Sequence, residues 1–343
     1  MTTAGVDEIA RALVADGKGI LAADETPRTI TKRFVSRGID STPDSRRDYR
    51  EMFFRTPGVG AFISGVILQD ETIRQTSASG ERLVDLLQRQ GIIAGIKVDE
   101  STKALAGSPR ELVTEGLDGL RDRLEEYREL GARFAKWRAV IIIDEGLPTD
   151  MCIGANAHAL ARYAALCQEQ SIVPIVEPEV LMTGPHTIER CEEVTARVLH
   201  AVFDALFDQR VKLEGLLLKP NMVVAGKSSD KQPSVEKVAA ATLLTLRRHV
   251  PPAVPGVVFL SGGQDHLQAT EHLDAINRQE GPAPWRLSFS YGRALQDEAM
   301  DAWQGKIENL AAAQRAFHHR ARCASAAAQG RYAGAMESEA ASI

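Results

Sequence analysis

Cysteine is scarce. The 343 residues hold four, Cys152, Cys167, Cys191 and Cys323, far apart and with no C-x-x-C pair among them. That spacing excludes a disulfide framework and points to reduced thiols in a cytoplasmic protein. At least two lie on helical patterns, where a small buried hydrophobe is the expected role. An excess of basic residues is missing too: 41 Lys and Arg stand against 46 Asp and Glu, a net charge of −5. There is no broad electrostatic footprint for nucleic acid, so any basic surface is local and suits a small phosphorylated ligand. No apolar run approaches the roughly 20 residues of a membrane span. The first 13 residues mix Asp7, Glu8 and Arg11 with apolar ones, so no signal-peptide core is expected. Neither membrane nor nucleic acid is therefore an expected partner.

Three further absences concern chemistry and organisation. The eight histidines are scattered, and none stands where an apolar run ends. His318 and His319 are adjacent on a helical stretch and so face apart, and only His186 falls near a strand end. Catalytic zinc needs about three converging protein ligands, so neither a metal nor another cofactor is expected. No G-x-G-x-x-G follows the first strand-like run, which counts against a doubly wound dinucleotide-binding sheet. No low-complexity linker divides the chain, so residues 1–343 read as one domain.

What is present is a repeating alternation. Apolar residues make up 44% and charged residues 25%, as in an ordinary globular protein. Eight short apolar runs bounded by breakers read as buried strands: GILAAD from Gly19, AFISGVIL from Ala61, AGIKVD from Ala94, ARFAKWRAVIII from Ala132, IVPIVEPEV from Ile172, GLLLK from Gly215, GVVFLSGG from Gly256 and WRLSFSYGR from Trp285. Helical periodicity follows each one. Residues 44–55 read as a helix capped by Asp44 after Pro43, and 79–90 carries Leu83, Leu86 and Leu87 on one face. Residues 108–131 hold one short and one longer helix, and 295–323 is the last helix. Residues 325–343 lack a periodic apolar face and read as a mobile tail. Strand–helix alternation implies a parallel sheet. Eight units predict a closed (β/α)8 TIM barrel, an α/β fold, with an N-terminal helical extension and the C-terminal tail. An open doubly wound sheet is the competing arrangement.

The informative pattern is where each run stops being apolar. The first run ends in Asp24, the third holds Lys97 and Asp99, the fourth Lys136 and Arg138, and the fifth Glu177 and Glu179. The sixth ends in Lys219, the seventh in Ser261, Gly262 and Gly263, and the eighth in Ser290, Gly292 and Arg293. In a barrel these carboxyl ends share one face, where the active site sits. Polar strand ends that merely meet solvent explain one or two of these residues. They do not explain charges set within apolar runs, such as Lys97 and Lys136, because buried charges need partners.

Lys219 is the focus. Pro220 has no backbone N–H, so the strand stops there. A lysine at that end is a nucleophile once its amine is neutral, and apolar walls favour the neutral form. Such an amine attacks a ketone and forms a Schiff base. A rim lysine reaching solvent is the plainer alternative. The glycines after the seventh and eighth runs let a phosphate approach backbone N–H groups, with Arg293 adding a bidentate contact. Lys32 and Arg33 offer a second anion site across the mouth. Two anion sites around one lysine suggest a substrate phosphorylated at both ends.

With these residues in hand, the chain resembles the class I, Schiff-base fructose-bisphosphate aldolases. The resemblance runs from about Gly19 to Leu295. It rests on GILAADE, GIKVD, FAKWR, PIVEPE, LLKPNM, LSGG and SYGRAL in the family's order. It implies reversible, metal-independent cleavage of fructose 1,6-bisphosphate to glycerone phosphate and glyceraldehyde 3-phosphate. It also implies a glycolytic, cytoplasmic enzyme and a homo-oligomer, commonly a tetramer. Carried over by motif, the Schiff-base lysine falls on Lys219, the proton-transferring glutamate on Glu177 and its companion carboxylate on Glu179. Lys136, Arg138, Asp24 and Lys97 fall on family site positions. Phosphate contacts fall on Arg33, Ser261, Gly262, Gly263, Ser290 and Arg293. Either Asp24 or Glu177 could take the proton from the C4 hydroxyl.

The chain departs from the family's usual pattern in places. Pro27 and Arg28 stand in the loop that should meet the second phosphate, and Glu100-Ser101 follows GIKVD. The last residue is Ile343 rather than tyrosine, and no family role carries over to Tyr332. Two alternatives stay open on the sequence: a related Schiff-base aldolase for another sugar (bis)phosphate, and a non-catalytic phosphosugar-binding or scaffold protein. Retention of Lys219, Glu177, Lys136 and Asp24 together argues against the second.

Overall fold

The eight apolar runs do become strands, and they close on one another. The structure, a computed structural model, describes residues 5–279, 281 and 283–339. The barrel strands are β1 (Gly19–Ala22), β2 (Ile63–Leu68), β3 (Ile93–Lys97), β6 (Phe134–Ile141), β7 (Val173–Val180), β8 (Leu217–Leu218), β9 (Gly256–Phe259) and β10 (Arg286–Tyr291). They are parallel and pair in the closed order β1-β10-β9-β8-β7-β6-β3-β2. Between β3 and β6 a two-stranded antiparallel hairpin intervenes, β4 (Thr102–Leu105) with β5 (Ser108–Thr114). Each barrel strand is buried on both faces, which is why its sequence reads as a continuous apolar run and not as an alternation.

Twelve helices are described: α1 (Val6–Leu13), α2 (Pro27–Val35), α3 (Pro43–Phe54), α4 (Asp70–Arg74), α5 (Leu83–Arg89), α6 (Leu120–Leu130), α7 (Asp150–Glu169), α8 (Ile188–Asp208), α9 (Val235–His249), α10 (His266–Arg278), α11 (Arg293–Trp303) and α12 (Leu310–Ala327). The inner core contains Ile20, Ile67, Phe134, Val173, Ile175, Leu217 and Val258, together with Ile9, Ala10 and Leu13 of α1. The N-terminal helix thus packs on the same apolar layer as the inward-facing strand residues. Phe134 fills the barrel interior: a β-carbon on Gly95 would lie 2.3 Å from its ring. Truncating a buried phenylalanine of this kind costs about 3–5 kcal/mol. With the interior filled, a ligand does not enter the centre of the barrel, and in this fold the site forms at the carboxyl ends of the strands. Among the described residues no helix is long and apolar enough to cross a membrane.

Four local expectations change. The short helix expected after residue 108 is strand β5, because Glu111 turns inward, accepting from Ser108 Oγ at 2.8 Å and from Thr149 N at 2.8 Å. The cap of α3 is Thr42, whose hydroxyl accepts from Ser45 N at 3.0 Å, with Pro43 at the first helical position and Asp44 inside the first turn. The last helix is two: Gln304 (φ 50°) and Gly305 (φ 73°) break it between α11 and α12. Residues 325–339, expected to be a mobile tail, carry packed and paired side chains. Ala327 and Tyr332 are buried, Arg320 pairs with Glu337, and Arg322 pairs with Glu339 at 2.6 Å. Small residues and ion pairs hold this segment, and neither registers as a periodic apolar face. Residues 340–343 of that expected tail lie outside the described residues.

Candidate active site

Strand register builds the site. In the β6–β7 pair, Arg138 stands opposite Glu177 and Val140 opposite Glu179. In the β3–β6 pair, Lys97 stands opposite Lys136. Lys219 lies just past β8, and its backbone N–H donates to Val176 O at 2.8 Å. That bond fixes Lys219 beside Glu177. Asp24 follows β1, two residues beyond the strand's last member. Alternation sends Lys136 and Arg138, and likewise Glu177 and Glu179, to the same side of the sheet. Asp24, Lys97, Lys136, Arg138, Glu177, Glu179 and Lys219 all meet a cavity of about 400 Å³ at the carboxyl ends of the strands.

The charges form one connected network. The Lys136 ammonium is 2.7 Å from Asp24, 3.3 Å from Glu177 and 3.8 Å from Asp99. The Lys219 ammonium is 3.3 Å from the other oxygen of Glu177. Lys97 is 2.7 Å from Asp99, and Arg138 pairs with Glu179. Burial alone would raise the pKa of Asp24, but the attraction of Lys136 and then of Lys219 outweighs it and holds the carboxylate well below its usual range. Burial works against the Lys136 charge in the same way, and Asp24, Glu177 and Asp99 outweigh it, so its pKa is raised. Arg138 is held charged against burial chiefly by Glu179. One oxygen of Glu177 is buried with no hydrogen-bond partner. That oxygen is the one 3.3 Å from the Lys136 ammonium, so it is held by charge and not by a hydrogen bond.

Around this network the cavity has two anion-suited flanks. On one side are Ser261, Gly262, Ser290, Gly292 and Arg293. Gly262 (φ 58°) and Gly263 (φ 90°) make a left-handed turn that favours glycine. Gly292 precedes α11, whose helical N-terminus carries free N–H groups and partial positive charge. The Ser290 hydroxyl is buried without a partner. Gly263 itself does not line the cavity. It lies behind, next to the ends of Arg293 and Lys227. On the other side are Thr26, Thr29 and Arg33 at the start of α2. Arg33 is already engaged, with Glu25, with Asp297 at 2.9 Å and with Gln296 at 3.0 Å. Burial opposes its charge, and neighbouring Tyr49, Glu25 and Asp297 push its pKa up. Lys32 is exposed and does not line the cavity, and neither does Arg28.

Of the residues singled out from sequence, Asp24, Glu177, Glu179, Lys136, Lys219, Lys97, Arg138, Arg33, Ser261, Gly262, Ser290, Gly292 and Arg293 all line this one cavity. Sequence reasoning passed over Thr26 and Thr29, although Thr26-Pro27 is a cap-and-first-turn signature. Thr26 accepts from Thr29 N at 3.3 Å, so Pro27 starts the helix and does not disrupt the loop. Asp99 was visible as a strand end, but its double pairing with Lys97 and Lys136 was not. The histidine expectation can also be located. His186 is buried with both ring nitrogens unpartnered, and burial lowers its pKa. The described residues bring one set of metal-ligating atoms together, those of His319, Cys323 and Glu337, within 4.8 Å of one another. None of these lines the cavity, and Glu337 is already paired with Arg320.

The chain is similar to known proteins along most of its length. The family described as glycolytic, fructose-bisphosphate aldolase class-I, matches residues 5–343. A probable fructose-bisphosphate aldolase class 1 of Xanthomonas campestris pv. campestris is 55% identical over 328 residues, 95% of this chain and 98% of that one. The cytosolic fructose-bisphosphate aldolase 4 of Arabidopsis thaliana is 53% identical over 318 residues, 93% of this chain and 81% of that one. Among solved structures, a fructose-bisphosphate aldolase of Plasmodium falciparum, in complex with TRAP and a small-molecule inhibitor, matches with a TM-score of 0.95. It is 50% identical, and the match covers 96% of this chain and 95% of that one.

Proposed function

The chain belongs to the class-I fructose-bisphosphate aldolase family, and from that membership we propose which of its residues carry the reaction. The protein is a carbon–carbon lyase of glycolysis. It cleaves fructose 1,6-bisphosphate reversibly to glycerone phosphate and glyceraldehyde 3-phosphate through a Schiff base on a lysine.

In our reading that lysine is Lys219. The observation that carries the assignment is its ammonium at 3.3 Å from Glu177, both side chains buried at the foot of the cavity. Glu177 accepts the proton that Lys219 must lose before it can attack. The free amine adds to the C2 ketone and gives a carbinolamine. Protonated Glu177 then returns a proton to the departing hydroxyl, water leaves and an iminium forms. The iminium draws the electron pair of the C3–C4 bond as that bond breaks, while a carboxylate removes the C4 hydroxyl proton. An effective base must have appreciable affinity for that proton. Asp24, held ionised by Lys136 at 2.7 Å and by Lys219, is a weak base, whereas Glu177 stands 3.3 Å from Lys219 and has already exchanged a proton in the dehydration step. We therefore give this step to Glu177, and to Lys136 and Asp24 the task of keeping the pocket's charges fixed. Glyceraldehyde 3-phosphate leaves first. The enamine left on Lys219 is protonated at C3, and hydrolysis of the resulting iminium frees glycerone phosphate.

Glu179 orients Arg138, and Lys97 and Arg138 face the hydroxyls of the substrate. The flank of Ser261, Gly262, Ser290, Gly292 and Arg293 holds the phosphate next to the ketone, with Gly263 shaping the turn behind it, and Arg33 with α2 holds the other. We propose one folding unit, acting in the cytoplasm as a homotetramer. The exposed Phe207 (82%) and Leu244 (41%) support a further subunit contact.

Borohydride trapping with fructose 1,6-bisphosphate in excess EDTA, followed by peptide mass mapping, tests the assignment. A reduced adduct on Lys219 is the expected result. An adduct on another lysine, or no adduct with cleavage abolished by EDTA, overturns it.

A further inference from the structure

Two cations flank the glycine turn after β9, and the mechanism above uses only one. A β-carbon placed on Gly263 would lie 3.0 Å from the Lys227 ammonium and 3.4 Å from the Arg293 guanidinium. Neither side chain has a carboxylate or hydrogen-bond partner among the described residues. Every other cation at the mouth that the mechanism uses, Lys97, Lys136, Arg138, Lys219 and Arg33, has an acidic partner within ion-pair distance. Like charges brought together without a counter-ion repel. Their juxtaposition beside an N–H-rich turn and the unpartnered Ser290 hydroxyl describes a site for an anion.

The backbone holds Lys227 in this place. Its N–H donates to Met182 O at 2.8 Å, that of Gly226 to His186 O at 2.8 Å and that of Ser228 to Gly184 O at 3.1 Å. The loop after β8 is thus stitched to the loop after β7. A β-carbon on Gly226 would lie 2.1 Å from Gly184 O, so the crossing depends on glycine there. Lys227 is exposed, and these backbone bonds fix where its side chain starts.

We propose that Lys227 is the second cation of the phosphate subsite, a specificity-determining residue for the phosphate on the ketone half of the substrate. The proposal rests on the reading of the Arg293 flank as that subsite. A phosphate ester carries nearly two charges at neutral pH, and one guanidinium balances only one. Arg293 lines the cavity and has the geometry for a bidentate contact, while Lys227 adds a point charge from behind Gly263. Because Lys227 stands behind Gly263, away from Lys219 and Glu177, it acts on binding and not on bond cleavage.

The test uses the full-length protein and its Lys227→Met, Lys227→Arg and Arg293→Met variants. KM and kcat for fructose 1,6-bisphosphate are measured, with the inhibition constant of inorganic phosphate at low and high salt. Lys227→Met is expected to raise both KM and the inhibition constant roughly tenfold, the scale of one charge-assisted contact. It should change kcat by less than about twofold and flatten the salt dependence. Lys227→Arg should restore most of the loss. An unchanged inhibition constant in Lys227→Met beside a raised one in Arg293→Met overturns the role of Lys227 and leaves the subsite standing. Unchanged constants in both overturn the subsite as well. A fall in kcat at constant KM in Lys227→Met overturns the binding role.

Discussion

The Lys219 ammonium stands 3.3 Å from the Glu177 carboxylate, and each side chain is only 5% exposed. The pair sits at the junction of β7 and β8, joined by the bond from Lys219 N to Val176 O. Proton exchange between the two groups needs no rearrangement of the backbone. The other oxygen of Glu177 faces Lys136, so one carboxylate serves both lysines.

Glu177→Gln tests the proton-transfer role. The amide keeps the shape of the carboxylate but cannot carry the proton. Loss of a general acid–base group costs about 10²–10⁴-fold in rate, and kcat should fall within that range. Adduct trapping on Lys219 should slow in step in a quenched time course, because carbinolamine dehydration uses the same group. A variant with near-normal kcat would move the role to Asp24.

Lys136→Met tests the shared cation. Lys136 is buried and holds Asp24 at 2.7 Å, so its removal leaves carboxylates without their nearest counter-charge. Breaking a buried pair from one side costs about 3–5 kcal/mol. The pH dependence changes as well. In the native protein the folded pKa of Asp24 lies below the unfolded value, so its ionisation stabilises the fold above that value, and the stability is lost as pH falls through the folded pKa. Without Lys136, only Lys219 and Lys97 oppose burial, so the folded pKa moves up towards the unfolded value. The urea midpoint of the variant should then fall less steeply than that of the native protein as pH drops below about 5. Equally steep acid limbs in the two proteins would contradict the account.

How much of this was legible in the chain follows from where the information lies. Lys97 and Lys136 were readable because a charge inside an apolar run is costly without a partner, and the carboxyl-end convention of a parallel barrel says where such partners gather. The barrel itself followed from eight repeats of one pattern. What stayed hidden depends on contacts between distant segments. Asp99 meets Lys136 across β3 and β6, and Lys227 comes up to Gly263, as Arg293 does, from a loop stitched to the one after β7. Strand β5 was misread because Glu111 turns inward to Thr149, a contact across 38 residues that local propensity does not encode. The segment after residue 325 was misread because alanines and ion pairs pack without an apolar stripe.

Arg33→Met tests the second phosphate flank. Arg33 is tied to Glu25 and Asp297, yet it lines the cavity beside Thr26 and Thr29. Glu25 would keep Arg50 at 2.8 Å, so the fold should survive. The ratio of kcat/KM for fructose 1,6-bisphosphate to that for fructose 1-phosphate should fall roughly tenfold, the scale of one charge-assisted contact. An unchanged ratio would mean that the guanidinium is a structural clamp only.

His272 sets an acid limit on the loop that carries Ser261. Its Nδ1 is 2.5 Å from Gln264 Oε1, and Gln264 Nε2 donates to Ser261 O at 3.1 Å. The Gln264 backbone N–H donates to the same carbonyl at 2.9 Å, so the glycine turn hangs on this residue. With Gln264 Oε1 as acceptor, Nδ1 carries the proton of the neutral ring, and a second proton would go to Nε2. Burial disfavours that charge and lowers the pKa from 6.5 to about 4, with only a small opposing pull from Asp265. A depressed folded pKa makes the neutral ring a source of stability at and above the unfolded value. That stability is lost as pH falls through the folded pKa, and the loss begins near pH 6.5. At about 1.4 kcal/mol per unit, His272 should remove about 3 kcal/mol between pH 6.5 and pH 4. His272→Gln has no such titration and should show a flatter urea midpoint over that interval. Because Gln264 links His272 to the Ser261 carbonyl, phosphate inhibition should weaken on the same acid limb in the native protein and less so in the variant. Parallel midpoint curves for the two proteins would show that His272 is not the titrating group.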